Sequence, residues 1–116
     1  VLGVNLVKLQ LMQDKDQEKL KNIISFLVKK LHPERIILFG SRARGSHRPG
    51  SDFDLAVEGG QKLDFRARRK LKEELEGFLG LHSLDLIFLD EVSPEFRQII
   101  RKGVIVYEKN RSISGS

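Results

Sequence analysis

Residues 35–57 read RIILFGSRARGSHRPGSDFDLAV, and this stretch decides how the rest of the chain is read. Arg35–Phe39 is a short, apolar, β-branched run of the kind that forms a buried strand. Gly40 relieves the backbone at the turn that follows, and residues 41–46 fit a brief helical turn. A loop carrying Pro49 and Gly50 leads into a second strand over Asp52–Val57. Side chains alternate along a strand, so Asp52, Asp54 and Ala56 share one face while Phe53, Leu55 and Val57 share the other.

Two kinds of chemistry sit in this stretch. A glycine-opened turn exposes amide N–H groups, and a helix amino end adds favourable potential for phosphate. Ser41 adds a hydroxyl donor, and Arg42 or Arg44 can form bidentate contacts to phosphate oxygens. A left-handed turn with two solvated arginines is the plainer alternative. Asp52 and Asp54 present two like charges from one strand face, an arrangement that calls for a cation, a proton or a functional need. Their spacing suits Mg²⁺ held by few carboxylates with substrate phosphates completing its shell. The alternative is a turn-terminal Asp52 and an exposed Asp54 at a strand edge.

Asp85 adds to the metal reading. It interrupts the apolar run LDLIFL at 84–89, where an unpaired carboxylate is costly to bury. If its strand neighbours that of Asp52 and Asp54, three carboxylates meet at one edge of a sheet, and two metal ions about 3.5–4 Å apart can share them. Asp90 competes for the role but falls at the strand end before a turn.

Outward from the centre, the periodicity predicts a helix from Asp14, with Leu20, Ile23, Ile24, Leu27, Val28 and Leu31 as its apolar stripe. Asp14 and Asp16 suit its amino end, Lys29 and Lys30 its carboxyl end, and His32-Pro33 stops it. Gly59-Gly60 turns the chain into a second helix with Leu63, Ala67, Leu71, Leu75, Phe78 and Leu79 buried, a basic cluster at Arg66, Arg68, Arg69 and Lys70, and Gly80 as terminator. A third strand is expected over roughly 83–89, with Leu84, Leu86 and Phe88 on one face and Asp85 and Ile87 on the other. Ser93 reads as an N-cap and Pro94 as the first residue of a short helix packed through Phe96, Ile99 and Ile100. Gly103 ends that helix, and Val104–Tyr107 reads as a last strand. The alternation gives an α/β (α+β) fold, a small mixed sheet flanked by helices.

The 116 residues make one domain, expected over residues 14–108, with 1–13 an N-terminal extension and 109–116 a flexible tail. The net charge of +5 favours an anionic partner, weakly, since 16 acidic residues are interspersed with 21 basic ones. Cysteine is absent, which excludes disulfides and thiolate zinc sites. The first residues lack a basic start and a small-residue cleavage site, and no run approaches the ~20 apolar residues of a membrane span. A cytoplasmic chain with no membrane partner is expected. His47 lies in the loop facing the candidate site and reads as solvated rather than phosphate-binding. His32 and His82 share no metal-ligand spacing. The basic run at 66–70 reads as a solvated helix face. Aromatic residues fall mostly in core stripes, which argues against direct nucleic-acid binding.

Gly40-Ser41, ten intervening residues and then Asp52-Phe53-Asp54 resemble the signature of the minimal nucleotidyltransferases of the DNA polymerase β superfamily. GSRARG and SDFDL follow that family's wording closely, and Asp85 sits where its third carboxylate is expected. The resemblance covers most of residues 15–108 in element order. It implies binding of ATP and two Mg²⁺ ions, and transfer of a nucleoside monophosphate to a hydroxyl with release of pyrophosphate. On that resemblance Gly40 and Ser41 hold the triphosphate, Asp52 and Asp54 coordinate both metals, and Asp85 binds one metal and helps activate the acceptor. Short members of the family are commonly encoded with a HEPN-domain toxin and serve as antitoxins that AMPylate a tyrosine of it.

Three functions follow for testing. The first is an enzyme that AMPylates a HEPN-domain toxin. The second is an antitoxin that neutralises its partner by complex formation without catalysis. The third, a nucleic-acid modifier or binder, rests on the net charge and the basic helix alone.

Overall fold

The computed structural model describes residues 14–40, 53–79 and 84–109. The extension before residue 14, the helical turn expected at 41–46, the loop with His47, Pro49 and Gly50, the terminator Gly80, His82 and the tail from 110 onward lie outside the described residues. So do the side chains of Asp14, Asp16, Phe78 and Leu79.

Helix α1 (Asp14–Leu31) forms where the apolar spacing places it. Leu20, Ile23, Ile24, Leu27 and Leu31 are buried to within 1% of full coverage, each contributing roughly 1.5–3 kcal/mol by leaving water. The helix stops at His32, whose φ of 49° is left-handed, and at Pro33. Strand β1 (Arg35–Phe39) follows, then β2 (Phe53–Glu58).

Helix α2 (Phe65–Leu79) starts later than the Gly59-Gly60 turn implies. Gly60 is held against the end of α1 at a φ of 90°, where a Cβ would meet the Leu31 carbonyl at 2.5 Å. The chain then runs without regular structure to Asp64, whose carboxylate accepts the Ala67 N–H at 2.8 Å and so begins the helix. Leu63 therefore packs on the core from the connection, while Leu71 and Leu75 are buried from the helix itself.

Strand β3 (Leu84–Phe88) leads through a 3₁₀ turn (Leu89–Glu91) to helix α3 (Pro94–Arg101). Its N-cap is Ser93, whose Oγ accepts the Phe96 N–H at 3.2 Å, and Pro94 stands in the first turn as expected. Strand β4 (Val104–Glu108) closes the order.

Among the described residues the sheet has four strands in the order β3-β2-β1-β4. β1 is antiparallel to β2 and β4, and β2 is parallel to β3. One face packs on α1 and α2 through Ile36, Leu38, Phe53, Leu55, Val57 and Leu84. The other carries a smaller cluster of Ile37, Ala56, Leu89 and Ile100, so α3 lies on that face. At its far end Arg35 donates to Glu58 at 2.7 Å and to Glu108 at 2.8 Å, and Arg101 donates to Glu58 at 2.8 Å. This network ties β1, β2, β4 and α3 together. No described helix is long and apolar enough to cross a membrane.

Candidate active site

The face carrying α3 is also the face of the acidic residues, because the alternation along β2 puts Asp54 with Ala56 and opposite to Phe53 and Leu55. Sheet register then does what sequence spacing alone does not. Asp54 is the lateral partner of Asp85 in the parallel β2–β3 pair, and neighbouring strands lie about 4.8 Å apart. On its other side Asp54 pairs with Phe39 in the antiparallel β1–β2 ladder. A single row therefore runs Asp85, Asp54, Phe39 across three strands at one end of the sheet.

Gly40 follows Phe39 at the end of β1 and closes over this row. Its φ is +77°, and a Cβ there would overlap Asp54 Oδ2 and stand 3.0 Å from Asp54 Cγ. The glycine is thus needed twice, once for its left-handed backbone and once to let the carboxylate lie against the chain. The sequence pattern explains only the first need.

Asp85 is exposed. The expectation that it sits in a costly buried position is corrected, since β3 is an edge strand among the described residues and this side chain meets solvent. What distinguishes it is its register beside Asp54. Asp90 is exposed in the 3₁₀ turn, as a turn residue should be. Ser41, Arg42, Arg44 and Asp52 lie outside the described residues. Among the described residues no group of three or more histidines or carboxylates gathers to hold a metal. The described part of the expected set is the pair Asp54 and Asp85, two hard oxygen donors of the type that suits Mg²⁺.

Helix α3 crosses this face with two unlike flanks. One turn of helix separates Arg97 from Arg101. Arg97 donates to the carbonyls of Leu89 (3.2 Å) and Val92 (3.1 Å), while Arg101 reaches Glu58 at the end of β2 remote from Asp54. The opposite flank carries Phe96 and Ile99, and the Phe96 ring meets Phe39 edge-on with centroids 6.4 Å apart. Ile100, between the flanks, points into the sheet and is fully buried. Phe96 and Ile99 are 38% and 62% exposed, so the expectation that both pack inward is corrected. The helix is apolar over a wider arc than the narrow sheet beneath it covers. Helical spacing marks an apolar face without saying what lies under it, which is why their exposure was not legible from the sequence.

Arg68 corrects a second expectation, that the basic run on α2 is simply solvated. Its guanidinium carbon lies 4.3 Å from the centre of the Phe88 ring, and Nη1 donates to Glu91 Oε1 at 2.7 Å while Nη2 pairs with Oε2. The hydrogen-bonded pairing with Glu91 raises the Arg68 pKa above its ordinary value and lowers that of Glu91 below its own. The contact pins the end of β3, and so the strand bearing Asp85, to α2. Nothing in RARRK (66–70) singles out this arginine.

A glycine-covered acidic pair on adjacent strands of a small mixed sheet, backed by helices, is the arrangement that the resemblance to nucleotidyltransferases implies. The chain belongs to the family described as Polymerase beta, Nucleotidyltransferase, which it matches over residues 21–112. It is 36% identical over 93 residues to the "Probable protein adenylyltransferase MntA" of Haemophilus influenzae, covering 78% of this chain and 82% of that one. Solved structures agree. A toxin–antitoxin complex with AMP-PNP matches at a TM-score of 0.64 and 26% identity, over 84% of this chain and 75% of that chain. The MntA–HepT toxin–antitoxin structure matches at 0.62 and 27%, over 80% and 73%. A tri-AMPylated Shewanella oneidensis HEPN toxin in complex with MNT antitoxin matches at 0.61 and 28%, over 80% and 72%.

Proposed function

We propose that this chain transfers AMP from ATP to a hydroxyl on a partner protein, a HEPN-domain toxin, and acts in the cytoplasm as the antitoxin of that pair. The observation that carries the reading is the lateral pairing of Asp54 with Asp85 under Gly40, in a chain related to a protein adenylyltransferase. In the reaction the acceptor oxygen bonds to the α-phosphorus of ATP as the bond to pyrophosphate breaks, and the hydroxyl proton passes to a carboxylate. We assign that role to Asp85, which its exposure in β3 leaves accessible to an acceptor. Asp54 lies deeper, its carboxylate lodged against Gly40. Asp52, Asp54 and Asp85 would hold Mg²⁺, which when bound neutralises charge on the phosphate oxygens. Gly40 and Ser41, with Arg42 and Arg44, would hold the triphosphate.

Incubating the chain with ATP, Mg²⁺ and the HEPN-domain protein should add one or more AMP units to the partner's intact mass. An Asp52→Asn, Asp54→Asn double variant should bind the partner without modifying it and fail to suppress toxicity. Suppression that survives in this variant would instead establish neutralisation by complex formation alone.

A further inference from the structure

The uncovered flank of α3 meets the sheet at Phe39, beside Asp54 in the ladder, and has no structural occupant among the described residues. Phe39 is the lateral neighbour of Asp54, Phe96 meets Phe39 ring to ring, and Ile99 follows one helical turn along the same flank. The opposite flank is spent on Arg97 and Arg101. A helix anchored by its arginines on one side thus presents an apolar, partly aromatic wall on the other, above the site end of the sheet.

We infer that Phe96, backed by Phe39 and Ile99, is the platform on which the base of the donor nucleotide stacks. This rests on the transferase reading, which places the acceptor beside Asp85 on β3 and the phosphates beside Gly40 at the end of β1. The wall rises over β1, on the donor side of the row. The edge-on meeting of the two rings fixes Phe96 against Phe39, while 38% of Phe96 and 62% of Ile99 remain open to a flat ligand. These three side chains offer apolar surface and no hydrogen-bonding edge. Their contribution is therefore stacking area, which favours purines over pyrimidines.

The chain contains no tryptophan, so F96W creates a single tryptophan, excited selectively at long wavelength, while keeping an aromatic ring at the position. Its emission should be quenched by ATP with Mg²⁺, less by CTP, and not by inorganic tripolyphosphate. F96A should weaken ATP binding about ten-fold, the scale of one base–aromatic stack, and leave tripolyphosphate binding unchanged. Wild-type ATP affinity in F96A, or equal quenching by tripolyphosphate and ATP, overturns the platform. Quenching of F96W by the HEPN-domain protein but not by ATP overturns it too, and makes the flank a protein seat. ATP binding with no tryptophan response removes this inference alone. A wild-type chain that binds neither ATP nor tripolyphosphate removes the transferase reading along with it.

Discussion

Replacing Gly40 with alanine tests the most specific steric feature of the site. Two costs combine there. The residue holds a φ of +77°, and an L-residue in that region costs roughly 1–2 kcal/mol. The new methyl also overlaps Asp54 Oδ2 and stands 3.0 Å from Asp54 Cγ, so the carboxylate must swing away or the strand end must shift. A displacement of about 1 Å at a reacting centre is worth on the order of a hundred-fold in rate. Denaturant titration of G40A should show a loss of about 1–3 kcal/mol, and AMP transfer should fall far more than that loss explains. G77A is the control. Gly77 lies within α2 with nothing within 4 Å of an added Cβ, so that variant should gain roughly 0.5–1 kcal/mol from helix propensity and keep its activity. A G40A protein with unchanged stability and wild-type transfer would refute the reasoning.

L75A empties a fully buried position under α2 and should cost about 2–5 kcal/mol in denaturant titration. E58Q removes the carboxylate shared by Arg35 and Arg101 and should cost roughly 1–3 kcal/mol. E108Q, whose side chain is 47% exposed, should cost less than about 1 kcal/mol by the same measurement. The Arg68–Glu91 pair holds the Glu91 pKa below its ordinary 4.5. Its contribution is therefore complete above that value and lost as pH falls through the lowered one. Amide exchange at Phe88 and Leu89 should accordingly lose protection below about pH 4.5 in the wild type relative to neutral pH, and R68A should abolish this acid-dependent difference.

The parts of the fold that were legible in the sequence are those governed by neighbours in the chain. The stripe from Leu20 to Leu31, the Ser93-Pro94 cap and the alternation around Asp54 all depend on residues a few positions apart. What was not legible depends on partners far away. No local signal says that Asp85 stands beside Asp54 rather than elsewhere, because parallel pairing of β3 with β2 is set by the packing of α2 between them. Gly40 looked like a turn residue, and its contact with the Asp54 carboxylate is visible only once β1 and β2 are paired. Phe96 and Ile99 showed helical spacing, yet the sheet under α3 is too narrow to bury them. Arg68 looked like any member of its basic run until Glu91 and Phe88 were brought to it.

The most direct measurement of the central claim is a double-mutant cycle on pyrophosphate release during AMP transfer, using D54N, D85N and the pair. Carboxylates that act as one unit give losses that do not multiply. Each single variant should therefore lose nearly all activity, with the double variant little worse than either. Losses that multiply independently, or a single variant that works at the wild-type rate, would contradict the assignment of these two side chains to one reacting centre.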